Sequence, residues 1–121
     1  MAGAAFCLRA TPAATLTALL PAVWQALPAE AVITDVRYAL RGLRKRVMLR
    51  LIARDLGGLA PLAEVMATTT ALAEVATRHA LDHLDAKLAS IHGSPVGAAG
   101  GRAQQLHVLG MGKLGGGELN V

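Results

Sequence analysis

Aromatic side chains are nearly absent from this sequence, which holds one Phe, one Trp and one Tyr. That scarcity removes the stacking rows on which single-stranded nucleic acids lie. It also argues against a β-sandwich interior, because the 54% hydrophobic content is heavy in alanine and leucine, which suit helix faces. Cysteine is equally scarce. Cys7 stands alone, so no intrachain disulfide is possible, nothing demands an oxidising compartment, and no redox role is assigned to it. A cytoplasmic setting fits. Long apolar runs are missing too, since no stretch approaches the ~20 residues that span a bilayer. From Arg9 to Leu27 the chain has the outline of a signal peptide, but Pro12, Pro21 and Gln25 interrupt it, and it reads as a helix on a soluble core. At 121 residues one core is the limit.

What is present has helical rhythm. Thr11 and Pro12 open a short helix through Leu16, Leu19, Leu20, Val23 and Leu27, which Pro21 kinks or ends. Thr34 or Asp35 caps a longer one whose Val36, Leu40, Leu43, Val47 and Leu51 recur at steps of four and three, the period of one buried stripe. Gly57 and Gly58 stop it after Leu56. Pro61 starts a third helix that carries an apolar face as far as His92 and is long for so small a domain. Ser94 to Gly101, SPVGAAGG, has no periodicity and reads as a loop. Residues 105 to 109, Gln-Leu-His-Val-Leu, then form a short β-prone run that enters a glycine cluster. The expected organisation is a helical region over 1–92, a loop over 93–104, and a first strand with its glycine-rich turn over 105–121. The chain is thus expected to be mostly α-helical with one C-terminal β-strand, whose neighbours must lie beyond Val121 or in another chain.

The charge balance is +4, with twelve Lys and Arg against eight Asp and Glu. Position matters more than the sum. Arg37, Arg41, Arg44, Lys45, Arg46, Arg50 and Arg54 sit on the second helix, and at ~100° per residue they spread over two flanks of its apolar stripe instead of forming one footprint. A solvated or salt-bridged face is the reading, with neither nucleic acid nor membrane as partner. His79 and His83 are one turn apart with Asp82 between them, a spacing that can clamp a metal, but no third ligand is near and they read as helix-surface residues.

Chemistry concentrates in G-M-G-K-L-G-G-G-E-L-N, residues 110 to 120. Glycines in a strand-to-helix turn let backbone N–H groups approach phosphate oxygens without Cβ interference, and Lys113 adds a compact positive charge. Candidate phosphate-binding residues are therefore Gly110, Gly112, Lys113, Gly115 and Gly116. A plain glycine linker is the bland alternative. Gly110, Gly112 and Gly115 also match the dinucleotide fingerprint G-x-G-x-x-G, which would make the chain part of a dinucleotide-binding oxidoreductase. That fingerprint should continue into an apolar helix, yet more glycines, Glu118 and Asn120 follow. The G-x-x-x-x-G-K-[ST] phosphate loop fails because no Ser or Thr follows Lys113. A helical interaction module without an active site is the non-enzymatic alternative.

Residues 108 to 120, V-L-G-M-G-K-L-G-G-G-E-L-N, resemble the segment V-x-G-M-G-K-L-G-G-R-E-L-N of glutamine synthetase adenylyltransferases. Leu40 to Leu56 similarly resembles that family's arginine-rich helix, L-R-x-x-R-R-x-x-M-L-R-I-A-x-R-D-L. The two matches occur in the family's order, and the resemblance covers roughly Val36 to Val121. It implies an α+β parent domain of the DNA-polymerase-β-like nucleotidyltransferases. It further implies Mg2+, ATP or ADP and phosphate as ligands, with glutamine synthetase and a PII-type nitrogen signalling protein as partners. In that family the glycine segment leads to Ser-Asp-x-Asp, whose aspartates hold magnesium. Neither aspartate is within this chain, so no catalytic or metal-binding residue is assigned in it and the polypeptide alone is expected to be inactive. Asn120 after Glu118-Leu119 is more like the half that removes AMP by phosphorolysis. Gly117 stands where the family usually carries arginine, which removes a phosphate-binding cation.

Overall fold

The computed structural model describes Gln25 and residues 33–120. The expected first helix, the signal-like stretch and Cys7 otherwise lie outside the described residues. Two long helices dominate: α1, Ile33–Leu56, and α2, Leu62–His92, with a single helical turn α3, Gly112–Gly115.

Helix α1 starts at Ile33, so Thr34 and Asp35 lie inside its first turn and do not cap it from outside as expected. From there the Asp35 charge still faces the positive end of the helix dipole, and Arg54 in the last turn faces the negative end. The stop is where the glycines placed it. Gly58 takes φ +66°, a left-handed conformation open to glycine at no steric cost. The Gly58 N–H then donates to Asp55 O at 3.0 Å and the Leu59 N–H to Arg54 O at 2.8 Å, satisfying two carbonyls that the helix end would leave bare. Pro61, extended at φ −68° and ψ 155°, precedes α2, and its carbonyl accepts the Glu64 and Val65 N–H groups.

The buried stripe holds. Val36, Leu43, Val47 and Leu51 are all buried, with Leu40 partly so. Leu51 clusters with Val65 next to the connection, and Leu43 and Val47 cluster with Ala71 and Leu72 farther from it, so the helices run antiparallel. Each fully buried aliphatic side chain here contributes about 1.5–3 kcal/mol. Since α2 has 31 residues against 24 in α1, this register brings α1 to its end opposite roughly residue 82 of α2, one residue matching one at equal rise. The last turns of α2 overhang. Leu88 and Ile91 are accordingly exposed.

One expectation about the C-terminal part needs correction. The stretch from Ser94 is a loop pinched by one isolated antiparallel bridge between Val96 and Ala103, with Gly97 N–H to Arg102 O at 2.8 Å and Gln104 N–H to Pro95 O at 2.9 Å. Gly100 and Gly101, both at positive φ, reverse the chain between them. Residues 105 to 109, by contrast, form no strand. Their propensity is right, but a strand exists only through ladder bonds to a neighbour, and none is offered to them among the described residues. Leu106, Val108, Leu109 and Met111 are left exposed.

Candidate functional site

The glycine segment is a defined turn. Met111 approaches it extended, at φ −125° and ψ 164°, and Gly112 reverses the chain at φ +58°. One helical turn follows, closed by the Gly115 N–H to Met111 O at 3.4 Å and the Gly116 N–H to Gly112 O at 2.9 Å. The exit repeats the device that ends α1. Gly117 is left-handed at φ +71°, the Gly117 N–H donates to Leu114 O at 3.2 Å, and the Glu118 N–H donates to Lys113 O at 2.8 Å. Gly117 thereby closes the turn without strain, where an arginine at the same φ would cost roughly 1–2 kcal/mol.

Sterics explain the density of glycines better than flexibility does. A Cβ on Gly115 would lie 2.6 Å from Gly110 O, a distance no real side chain tolerates, and one on Gly110 would meet Leu114 Cγ at 3.2 Å. Gly110 and Gly115 are thus pressed backbone to backbone, and the G-x-x-x-x-G spacing follows from one turn folding back on its own entry. Gly116 differs. It is right-handed at φ −83°, and a Cβ there would meet nothing nearer than 3.5 Å.

The five candidate residues are therefore together, but they do different things. The amides of Gly115 and Gly116 donate inside the turn and shape it. The amides of Gly112 and Lys113 head the turn, where N–H groups have no partner within a helix, and the Lys113 side chain is exposed beside them. The dinucleotide fingerprint does not fit this geometry. It requires a strand before the glycines and a long helix after them, whereas α3 ends at Gly115 and residues 105 to 109 are not a strand.

From the turn the chain lands on the helix pair. The Leu119 N–H donates to Thr70 Oγ1 of α2 at 3.3 Å. Leu119 and Asn120 there line a cleft of about 390 Å³ together with Leu40, Arg41 and Arg44 of α1 and Leu72 and Ala76 of α2. Arg37, Arg41, Arg44, Lys45 and Arg46 are exposed, as the spread over two flanks implied. Arg54 is not. It is 8% exposed, its Nε–H and Nη2–H donate to the two carboxylate oxygens of Glu64 at 2.9 and 3.0 Å, and Nη2 also donates to Leu59 O at 2.8 Å. One guanidinium thus ties the end of α1, the connection and the start of α2. Sequence reasoning grouped it with the surface cations, although it occupies the next position of the stripe, three residues after Leu51.

His79 and His83 are half-buried on α2, each engaged within the fold. Among the described residues no three His, Cys, Asp or Glu side chains gather where they could together hold a metal ion. No helix among them is long and apolar enough to cross a membrane.

Comparison with known proteins covers nearly the whole chain. The sequence profile described as glutamate-ammonia ligase adenylyltransferase matches residues 5–121. The bifunctional glutamine synthetase adenylyltransferase/adenylyl-removing enzyme of Nitrosomonas eutropha is 56% identical over 89 residues, 72% of this chain and 10% of that protein. Enzymes of the same name from Chromobacterium violaceum and Bordetella pertussis are 52% and 45% identical over 98 and 106 residues, which is 81% and 83% of this chain and 10% and 11% of theirs. The chain therefore spans about a tenth of the length of the relatives it matches. No solved structure gives a significant match.

Proposed function

The chain belongs to the glutamate-ammonia ligase adenylyltransferase family, and on that premise we propose that it forms part of an enzyme that moves AMP on and off glutamine synthetase. The observation that supports this reading is the glycine turn, whose Gly110 and Gly115 backbones touch where a Cβ cannot fit and whose leading amides lie beside Lys113. In this reading Gly112 and Lys113 meet the phosphates of ATP or ADP, and Gly110, Gly115 and Gly116 hold the backbone in the shape that lets them. Asn120 after Glu118-Leu119 is more like the AMP-removing half of such enzymes, and this resemblance supports reading the turn as part of that half. There the bond between the AMP phosphorus and the glutamine synthetase oxygen breaks while a bond from orthophosphate to that phosphorus forms; ADP departs and the freed oxygen regains a proton. Magnesium would stabilise charge on the transferring phosphoryl group, with its carboxylates supplied from outside residues 33–120. A PII-type signalling protein is the expected regulatory partner, and the cytoplasm the expected setting.

The test uses adenylylated glutamine synthetase and orthophosphate. The full-length enzyme containing this segment releases ADP, its Lys113→Gln variant does so about a hundredfold more slowly for want of a phosphate-facing cation, and the 121-residue chain alone releases none. Adenylylation without phosphorolysis by the full-length enzyme would remove the assignment to the AMP-removing half. ADP release by the 121-residue chain would show that its own residues suffice for catalysis.

A further inference from the structure

Thr69 and Thr70 are neighbours on α2 and use their hydroxyls differently. Thr69 Oγ1 donates back to Val65 O at 2.8 Å, within its own helix. Thr70 is 7% exposed, and its Oγ1 accepts the amide of Leu119, 49 residues away in sequence. That bond sits one residue past Glu118, whose own N–H closes the glycine turn on Lys113 O at 2.8 Å. The exit of the turn is therefore anchored at both ends of a two-residue step, once to the turn itself and once to the helix pair. Leu119 is half-buried and lines the same cleft as Leu72 and Ala73, and the hydrogen bond is itself part-buried, which strengthens it over one in open water.

We propose that Thr70 is a positioning residue for the glycine turn: its hydroxyl fixes the backbone of Leu119 on α2 and so sets where the amides of Gly112 and Lys113 point. The inference rests on the phosphate-binding reading of the turn for its functional consequence, but not for its geometry. Among the described residues this anchor comes from α2, from a turn packed directly on α1 through Ala71 and Leu72. The rigid helix pair thus acts as the base from which a glycine-rich segment is held in one orientation.

Thr70→Val removes the acceptor while keeping the side chain's shape, and Thr70→Ser keeps the hydroxyl. In the 121-residue chain, amide exchange followed by NMR should show Leu119 exchanging about tenfold faster in T70V. The amide resonances of residues 110 to 117 should shift, those of Leu43 and Val65 should not, and T70S should behave as the parent chain does. Should T70V loosen the helix pair, Leu119→Pro deletes the donor from outside both helices and is expected to move the same glycine amides. Unchanged Leu119 exchange in T70V, or glycine amides that stay in place in both T70V and L119P, overturns the proposal. Titration with inorganic phosphate supplies the functional arm, with affinity about fivefold weaker in T70V and restored in T70S. If the parent chain binds no phosphate, the phosphate reading of the turn fails, and the amide shifts still decide the role of Thr70.

Discussion

At the scale of single residues, the glycines of the turn divide into those that sterics require and those it does not. Gly115 leaves no room for a methyl group against Gly110 O, while Gly116 is right-handed with space around it. Gly115→Ala should therefore open the turn and scatter the amide resonances of residues 110 to 117. Gly116→Ala should leave them in place and, by lowering the freedom of the unfolded chain, stabilise slightly, by about 0.5 kcal/mol. Equal disturbance by the two variants would show that the close approach of Gly110 and Gly115 is not what shapes the turn. Arg54 gives a second test. Arg54→Met leaves the Glu64 carboxylate and Leu59 O without their donor, and because Glu64 keeps a side-chain exposure of 21% the loss should be about 2 kcal/mol, below that of a fully buried pair. Urea unfolding measures it, and the double variant Arg54→Met/Glu64→Met should recover part of the loss, since no lone charge then remains at the site. A single-variant loss under about 0.5 kcal/mol would mean that the guanidinium contributes no more than a surface ion pair.

At the scale of elements, the sequence was legible where structure is decided locally. The end of α1 followed from Gly57 and Gly58, and the start of α2 from Pro61, because a left-handed glycine and a first-turn proline act through their own backbone torsions. The stripe Val36, Leu43, Val47, Leu51 followed from a period that any packed helix must obey. Legibility failed where an element depends on a distant partner. Residues 105 to 109 have strand composition but need a ladder neighbour, and no local signal supplies one. Arg54 is salt-bridged, as a residue of a solvated or salt-bridged face can be, but its burial was not legible: its residue type says surface, its register says core, and the carboxylate of Glu64, ten residues on, reconciles them. The candidate site shows the same division. Its glycines were identifiable from spacing, whereas Thr70, 49 residues from the amide it holds, carried no sequence signal at all.

At the scale of the whole molecule, a packed helix pair carries a C-terminal stretch whose apolar side chains are left exposed by the other described residues. Leu106 is 65% exposed, Leu109 85% and Met111 84%. Residues 105 to 110 are in neither helix nor strand, and apolar side chains on backbone outside any ladder form the kind of surface on which chains pair. The 121-residue chain should consequently self-associate in a concentration-dependent way through residues 105 to 111, and light scattering during size-exclusion chromatography would register it. Leu106→Lys/Leu109→Lys should yield a monomer, since two like charges per chain oppose pairing and replace the apolar contact. The same variant should leave the helical circular dichroism signal and the urea midpoint of the helix pair unchanged, because neither side chain belongs to the clusters around Leu43 and Leu51. A parent chain that stays monomeric at every concentration would show that this segment is satisfied within the chain itself. Loss of helical signal in the lysine variant would instead show that residues 105 to 111 support α1 and α2. The comparison matters for the site as well, because residues 105 to 109 lead directly into Gly110: whatever covers them fixes the entry of the turn, as Thr70 fixes its exit.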